Sequence, residues 1–517
     1  MLQNKERSPS ESLPSQFKAK ILECFGYTTA HGYGRVAGAN ESLSRRWFWL
    51  LVCAAAYGLF AYQLHDIILQ YSARPLKTRA WIAHQQKLPF PQVTVCNLNK
   101  IRLSRMPPKI LEEFPQILSK RYFFSSFLDK NNNKTDVNNS VVNRSRMGDH
   151  DLPHGDILKE KIEKRLAEYP ESVLQEAGHQ LDDMLLKCQY DSSMECMDDF
   201  RDLWTQLWHP KYGNCFSFNR GRTGNGKALQ LLTSSIPGHD NGLQLELNAE
   251  QYEYVSELTD EAGIRVFIGT QNVMPFPYEL GISVAPGYST GVMLRKIVIG
   301  KLDPFNNDSC EPRSELERDN IFQRYDMSYS DLACKISCLA TSMNSKCGCV
   351  YYTLKYHQSH DVCDGSDVEK IACVNDAYDD YSDGKCENNC RQKCRSEDFK
   401  MTVSAANWPS EHSKKHLRDI LKSDGLGNHS NELNLNFLKL KVYYGQLNFE
   451  VLDEEYAYTF ARFLSDIGGI MGMWIGISAL TCVEVLELMM SLCYTVLRKI
   501  KGKSVAVLHV QPNDSPA

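Results

Sequence analysis

The residues best placed to do chemistry lie near the C-terminal end of the sequence, in the run FLSDIGGIMGMWIGISALTCVEVLELMM at positions 463–490. Between Asp466 and Glu484 stand seventeen residues without a charge. At ~1.5 Å per residue a helix of that length covers ~25 Å, close to the ~30 Å hydrocarbon core of a bilayer. Gly468, Gly469, Gly472 and Gly476 crowd this run, with Ser478 and Thr481 below them. Glycines in a span let helices approach closely or let the backbone open toward water, and packing suffices for the glycines taken alone. The acids at its two ends, Asp466 on one side and Glu484 and Glu487 on the other, point further. Ionisable groups at membrane depth are costly and tend to line ion routes. The chemistry is cation handling: carboxylates concentrate the ion, and the carbonyls of unwound glycine replace its water shell.

A second apolar run, WFWLLVCAAAYGLFAYQL at 47–64, follows Arg45 and Arg46, while Arg498, Lys499, Lys501 and Lys503 follow the first. Basic flanks stay cytoplasmic. The predicted organisation is therefore a cytosolic N-terminal segment (1–46), a first span (47–70), an extracellular domain (71–455), a second span (456–497) and a cytosolic tail (498–517). Trp47, Trp49, Tyr62 and Tyr71 fall where interfacial aromatic belts are expected. No signal-peptide pattern precedes residue 47, so the first span is expected to act as a signal anchor. His31-Gly32 sit in TTAHGYGRVAG (28–38), whose glycines read as a tight turn or re-entrant loop.

The net charge of −5 says little about partners, and nothing in the sequence points to nucleic acid. Cysteine says more. Fourteen of the eighteen fall in the segment placed outside, ten of them between Cys310 and Cys394. Spacings such as Cys347-Gly-Cys349 resemble zinc ligands, but an oxidising compartment favours disulfides, so no metal is expected. Sequons at Asn133, Asn138, Asn143, Asn307 and Asn428 agree with the same topology and are predicted to carry glycans. Residues 88–98 alternate like a strand, and 242–249, 263–269 and 294–300 read as short strands. Residues 437–455 read as one long strand running into the second span. Helices are predicted over 109–120, 157–183, 331–341 and 414–422. The fold class is a membrane protein with an α+β outer domain: a sheet core joined to both spans, with a disulfide-stapled helical lobe.

In chain order, His31-Gly32, FPQVTVCNLN (90–99), VAPGYST (284–290), the cysteine block, DIGGIMGMWIG (466–476) and Gly476-Ile477-Ser478 resemble the degenerin/epithelial sodium channel superfamily, which includes the acid-sensing ion channels. The likeness covers nearly the whole chain. It implies a trimer, here a homotrimer, whose subunits comprise palm, knuckle, finger, thumb and β-ball around a sodium-preferring, amiloride-blocked pore in the plasma membrane. Sodium is then the permeant ion, and no cofactor is implied. Gly476, Ile477 and Ser478 would form the selectivity filter, and the His31-Gly32 loop would buttress it from below. Asp466 would ring the outer mouth, Gly469 and Gly472 would leave the path clear, and Glu484 and Glu487 would line the inner vestibule. Tyr71 and Phe305 match an aromatic contact that couples the outer domain to the spans. The family's nested order implies disulfides Cys96–Cys215, Cys188–Cys196, Cys310–Cys394, Cys334–Cys390, Cys338–Cys386, Cys347–Cys373 and Cys349–Cys363.

The stimulus is argued from departures. Proton gating needs carboxylates close enough to raise their pKa. Asp376, Asp379 and Asp380, facing Glu257, Asp260 and Glu261, could supply them, yet Asn375 stands where acid-sensing relatives carry the first acid of the thumb pair. Their histidine outside the first span is also missing from 71–79. The superfamily's invertebrate branch opened by FMRFamide-like peptides is the closer expectation. An arginine-bearing, aromatic peptide needs an acid beside an apolar cleft, for which Phe123, Phe124 and Phe127 with Asp182 and Asp183 are the candidates. Proton-gated and constitutively open channels are the alternatives within the superfamily. A pore-less receptor or adhesion glycoprotein and an ATP-gated two-span channel are the rivals outside it. No phosphate loop or nucleophile motif points to an enzyme.

Overall fold

The computed structural model describes residue 17 and residues 42–117, 154–192, 194–196, 201–223, 226–303, 310–312, 320–356, 360–365, 367–387, 389–423, 433–476, 483 and 485–497. The chain divides into two compact units, one of residues 1–77 and 455–517, the other of residues 78–454. In chain order the strands are β1 (Leu76–His84), β2 (Leu88–Pro89), β3 (Gln92–Asn97), β4 (Leu185–Tyr190), β5 (Met194–Glu195), β6 (Trp204–His209), β7 (Gly213–Phe218), β8 (Thr233–Ser234), β9 (Gly242–Asn248), β10 (Ile264–Gly269), β11 (Ile282–Val284), β12 (Tyr288–Gly300), β13 (Arg395–Asn407), β14 (Phe437–Tyr444) and β15 (Asn448–Tyr456). Helices longer than one turn are α1 (Leu43–Ser72), α2 (Pro108–Glu113), α3 (His154–Ala167), α4 (Glu171–Ala177), α5 (Asp331–Cys347), α6 (Val368–Ser382), α7 (Glu411–Ser423), α8 (Phe460–Trp474) and α9 (Val485–Leu497).

The larger unit is built on two sheets. The first runs β1-β15-β12-β14-β9-β4-β5, with β13 on the other edge of β12; the second runs β11-β10-β3-β7-β6. One core joins them: Val93, Val95 and Phe218 of the second sheet pack with Leu243, Leu245, Leu438 and Leu440 of the first. This central position explains why β3 is buried at every residue rather than alternately. Its polar side chains face each other's partners inside, Thr94 Oγ1 lying 2.7 Å from Ser217 Oγ.

Residues 437–455 make two strands, not one, and both run parallel to β12. Ser289 lies opposite Lys439 but Ile297 opposite Glu450, so three residues of the later segment are looped out. Gly445 sits in that loop, where an added Cβ would fall 2.6 Å from Met293 Sδ. The expected short strand at 294–300 is the end of a thirteen-residue strand, β12, whose whole length pairs with β13. β13 escapes a sequence reading because most of its residues are exposed and polar.

Prolines shorten the predicted finger helices. The helix expected over 109–120 ends at Glu113, because Pro115 bars Phe114 from helical dihedrals. The helix expected over 157–183 is cut at Pro170, which caps α4, and again at Gly178. α5, by contrast, runs past the expected residue 341 to Cys347 and stops where Gly348 takes φ +69°. Ser330 caps its start by accepting from the Ala333 amide, and Asp367 caps α6 by accepting from Glu369 and Lys370.

Seven disulfides, all in the larger unit, join the pairs named above: Cys96–Cys215, Cys188–Cys196, Cys310–Cys394, Cys334–Cys390, Cys338–Cys386, Cys347–Cys373 and Cys349–Cys363. Three of them, at Cys334, Cys338 and Cys347, bind α5 to α6 or to the segment after it, beside a core of Ala333, Met343, Val374 and Ala377.

Candidate pore segment, its couplings and the ligand candidates

The smaller unit holds the apolar helices. α1 buries none of its residues within the chain, and large side chains such as Trp47, Phe48 and Leu51 are exposed along it. Among the described residues it is the one helix long and apolar enough to cross a membrane. Within the second predicted span the described residues form two shorter helices, α8 and α9. α8 ends at Trp474, and Gly476 follows at φ +70°. An L-residue is strained in that region, so glycine is what lets the backbone leave the helix there. Ile477, Ser478 and Glu484 lie outside the described residues, as do His31 and Gly32. Glu487 is exposed on α9.

Thr459 caps α8, its hydroxyl accepting from the Arg462 amide at 3.3 Å. Asp466 lies nearly two turns inside the helix, with Tyr458 and Arg462 gathered around it. The Tyr458 hydroxyl donates to its carboxylate at 2.5 Å, and Arg462 Nε stands 4.0 Å away. Beyond Asp466 the helix offers little bulk: a Cβ built at Gly468, Gly469 or Gly472 meets no atom within 4 Å. At the far end, Trp474 Nε1 donates to Gln63 Oε1 at 2.8 Å and ties α8 to α1.

Tyr71, at the end of α1, stacks on Phe463 with ring centroids 4.4 Å apart, and Tyr458 and Phe460 stand at 6.4 Å. Phe305, its expected partner, lies outside the described residues. Sequence reasoning missed Tyr458, Phe460 and Phe463. The three-residue spacing of Phe460 and Phe463, which puts both on one helix face, was the available signal. The Ala457 amide also donates to the Pro75 carbonyl at 2.8 Å, and Lys77 pairs with Glu455 at 3.2 Å.

In the larger unit the two acids offered for a peptide already have cationic partners. Asp183 accepts from Arg102 at 2.8 Å and Asp182 from Arg201 at 2.5 Å. Both pairs are substantially solvent-exposed at the acid, where an incoming guanidinium could compete. Phe123, Phe124 and Phe127 lie outside the described residues, as do Asn133, Asn138, Asn143, Asn307 and Asn428. Of the acids weighed as a proton sensor, Asp380 is engaged by Lys346 and Lys385. Their hydrogen bonds and charges hold its pKa below the ordinary 3.8, opposite to what sensing near neutral pH needs. Glu257 is buried and accepts from the Ser256 hydroxyl at 2.9 Å. No group of three or more metal-ligating side chains occurs among the described residues.

Residues 24–488 match the family described as the amiloride-sensitive sodium channel. The chain is 29% identical to acid-sensing ion channel 4-B of Danio rerio over 470 residues, 89% of this chain and 74% of that protein. It is 28% identical to acid-sensing ion channel 2 of Homo sapiens over 96% of this chain and 91% of that one. To the epithelial sodium channel subunit alpha of Neoceratodus forsteri it is 24% identical, over 90% of this chain and 78% of the other.

Proposed function

The chain belongs to the amiloride-sensitive sodium channel family, and on that premise we propose that three copies form a sodium-selective, amiloride-blocked pore opened by an extracellular FMRFamide-like peptide. In this reading both termini are cytoplasmic and the disulfide-rich unit is extracellular, at the plasma membrane. The observation that carries the pore is the end of α8 at Trp474 with Gly476 at φ +70°, because it frees backbone carbonyls where a continuous helix would keep them bonded. The open space beside Gly468, Gly469 and Gly472 supports the same reading, since other copies and an ion path must fit there. Asp466 would add carboxylate charge above them.

Peptide gating is favoured over proton gating by Asp380, which two lysines keep ionised, and by Asn375 earlier on the same helix. The peptide's arginine would displace Arg102 or Arg201 from Asp183 or Asp182, and Phe123, Phe124 and Phe127 would supply aromatic contacts. Proton gating remains the second reading because the relatives include proteins named as acid-sensing channels. Cells expressing the chain alone, exposed separately to FMRFamide and to pH 5 solution, decide between them. The expected result is an amiloride-blocked sodium current with the peptide only; a current with acid alone reverses the choice.

A further inference from the structure

One cavity of the larger unit belongs to none of the sites above. It encloses about 310 Å³ between the turn after β3, strand β6, the α3–α4 corner and the turn that follows α5. Lys100 and Trp208 line it and are otherwise buried, at 5% and 4% exposure. Their positions are fixed. Asn99 Nδ2 donates to the Ile101 carbonyl at 2.6 Å and to the Glu253 carbonyl at 3.2 Å, clamping the turn that carries Lys100. Gly213, at φ +71°, brings the β6–β7 hairpin so close that an added Cβ would fall 2.3 Å from the Lys100 carbonyl oxygen.

Neither polar group is hydrogen-bonded or ion-paired by another described residue. Among the described residues the Lys100 ammonium donates no hydrogen bond and closes no ion pair, and the Trp208 indole N–H donates to nothing. Buried Glu163 acts on Lys100 through its charge without closing to a pair, and burial pushes the Lys100 pKa down. A desolvated cation and an unused N–H among the residues lining one cavity are a poor arrangement for an empty site and a good one for an anion.

We propose that this cavity binds a small organic monocarboxylate with an aromatic or branched apolar body. Lys100 supplies the charge and Trp208 a second donor for the carboxylate. Pro170, Leu174 and Tyr352 offer apolar and ring surface for the body. Of the acids on the same walls, Glu168 pairs with Arg165 at 2.8 Å and Glu171 with Arg324 at 2.7 Å, which leaves Asp361 to disfavour the second charge of a phosphate dianion. Lys355 is already committed, its Nζ donating to the Ala167 carbonyl at 2.7 Å. A ligand held here bridges the α3–α4 corner and the turn after α5. This binding site stands or falls separately from peptide gating.

The test is calorimetric titration of the purified full-length protein with benzoate and, separately, with its uncharged isostere benzamide. Benzoate is expected to saturate one site per chain and to bind about tenfold or more tightly than benzamide, the margin expected of a charged hydrogen bond. Lys100→Met should weaken benzoate by a similar factor and leave benzamide unchanged, and Trp208→Phe should weaken benzoate by less. Equal affinity for the two probes overturns the proposal. So does the absence of saturable binding of benzoate, phenylacetate and indole-3-acetate, or unchanged benzoate affinity in folded Lys100→Met. Should Lys100→Met not fold, the probe ratio in the unaltered protein and in Trp208→Phe decides.

Discussion

At Gly476 the backbone holds φ +70°, which glycine adopts freely and a β-branched residue adopts at a cost of about 1–3 kcal/mol. Gly476→Val is therefore expected to reshape the carbonyls around an ion, while Gly476→Asn, which tolerates left-handed dihedrals, keeps more of them in place. Reversal potentials under sodium–potassium exchange should collapse toward zero for the valine variant and shift less for the asparagine one. Wild-type selectivity in Gly476→Val would remove this position from the filter. Asp380 presents a different kind of constraint. Its folded pKa is depressed, so the stability it contributes is present above the ordinary value of 3.8 and is lost as pH falls through the folded value. Asp380→Asn should lower the melting temperature at pH 7, and the gap from wild type should close as pH drops below that value. Between pH 7 and 5 the carboxylate stays charged, so the variant's current should keep the wild-type pH dependence. A changed acid response in that window would restore Asp380 as a sensor.

Elements meet where α1 and α8 approach at Tyr71. The stack on Phe463 is the tightest ring contact of the cluster, and such pairs contribute about 0.5–1.5 kcal/mol beyond their buried area. Tyr71→Ala and Phe463→Ala should each shift the agonist concentration for half-maximal current, and the double variant should shift it by less than the sum. Strict additivity would mean that the stack does not couple the two helices during gating. Some element boundaries rest on local chemistry and were still misplaced, the expected helices stopping at 341 and running through 170. Gly348 ends α5 and Pro170 starts α4 for reasons a sequence carries by itself. α6 was not located, since its core contacts come from only a few residues, Val374 and Ala377 among them, set within an acidic run. β13 was not located either, because its partner β12, not its own alternation, makes it a strand.

For the whole molecule, the open space beside three glycines of α8 and the unburied length of α1 leave the smaller unit with apolar surface that its described residues do not cover. Cross-linking of the protein in native membranes is expected to stop at a three-chain species, and a ladder ending at two or four would sink the trimer. The sequence alone determined the outline: two apolar runs, basic flanks, fourteen cysteines between them, and glycines with an acid at each end of one run. Each of these is a matter of composition and order along the chain, which solvent and redox compartment read directly. Tertiary structure alone decided the partners. Arg102 and Arg201 on Asp183 and Asp182, Lys346 and Lys385 on Asp380, and the unpaired Lys100 facing its cavity are set by distances between segments far apart in sequence. Charge, burial and hydrogen bonding act over a few ångströms of space, and no spacing along the chain measures that distance.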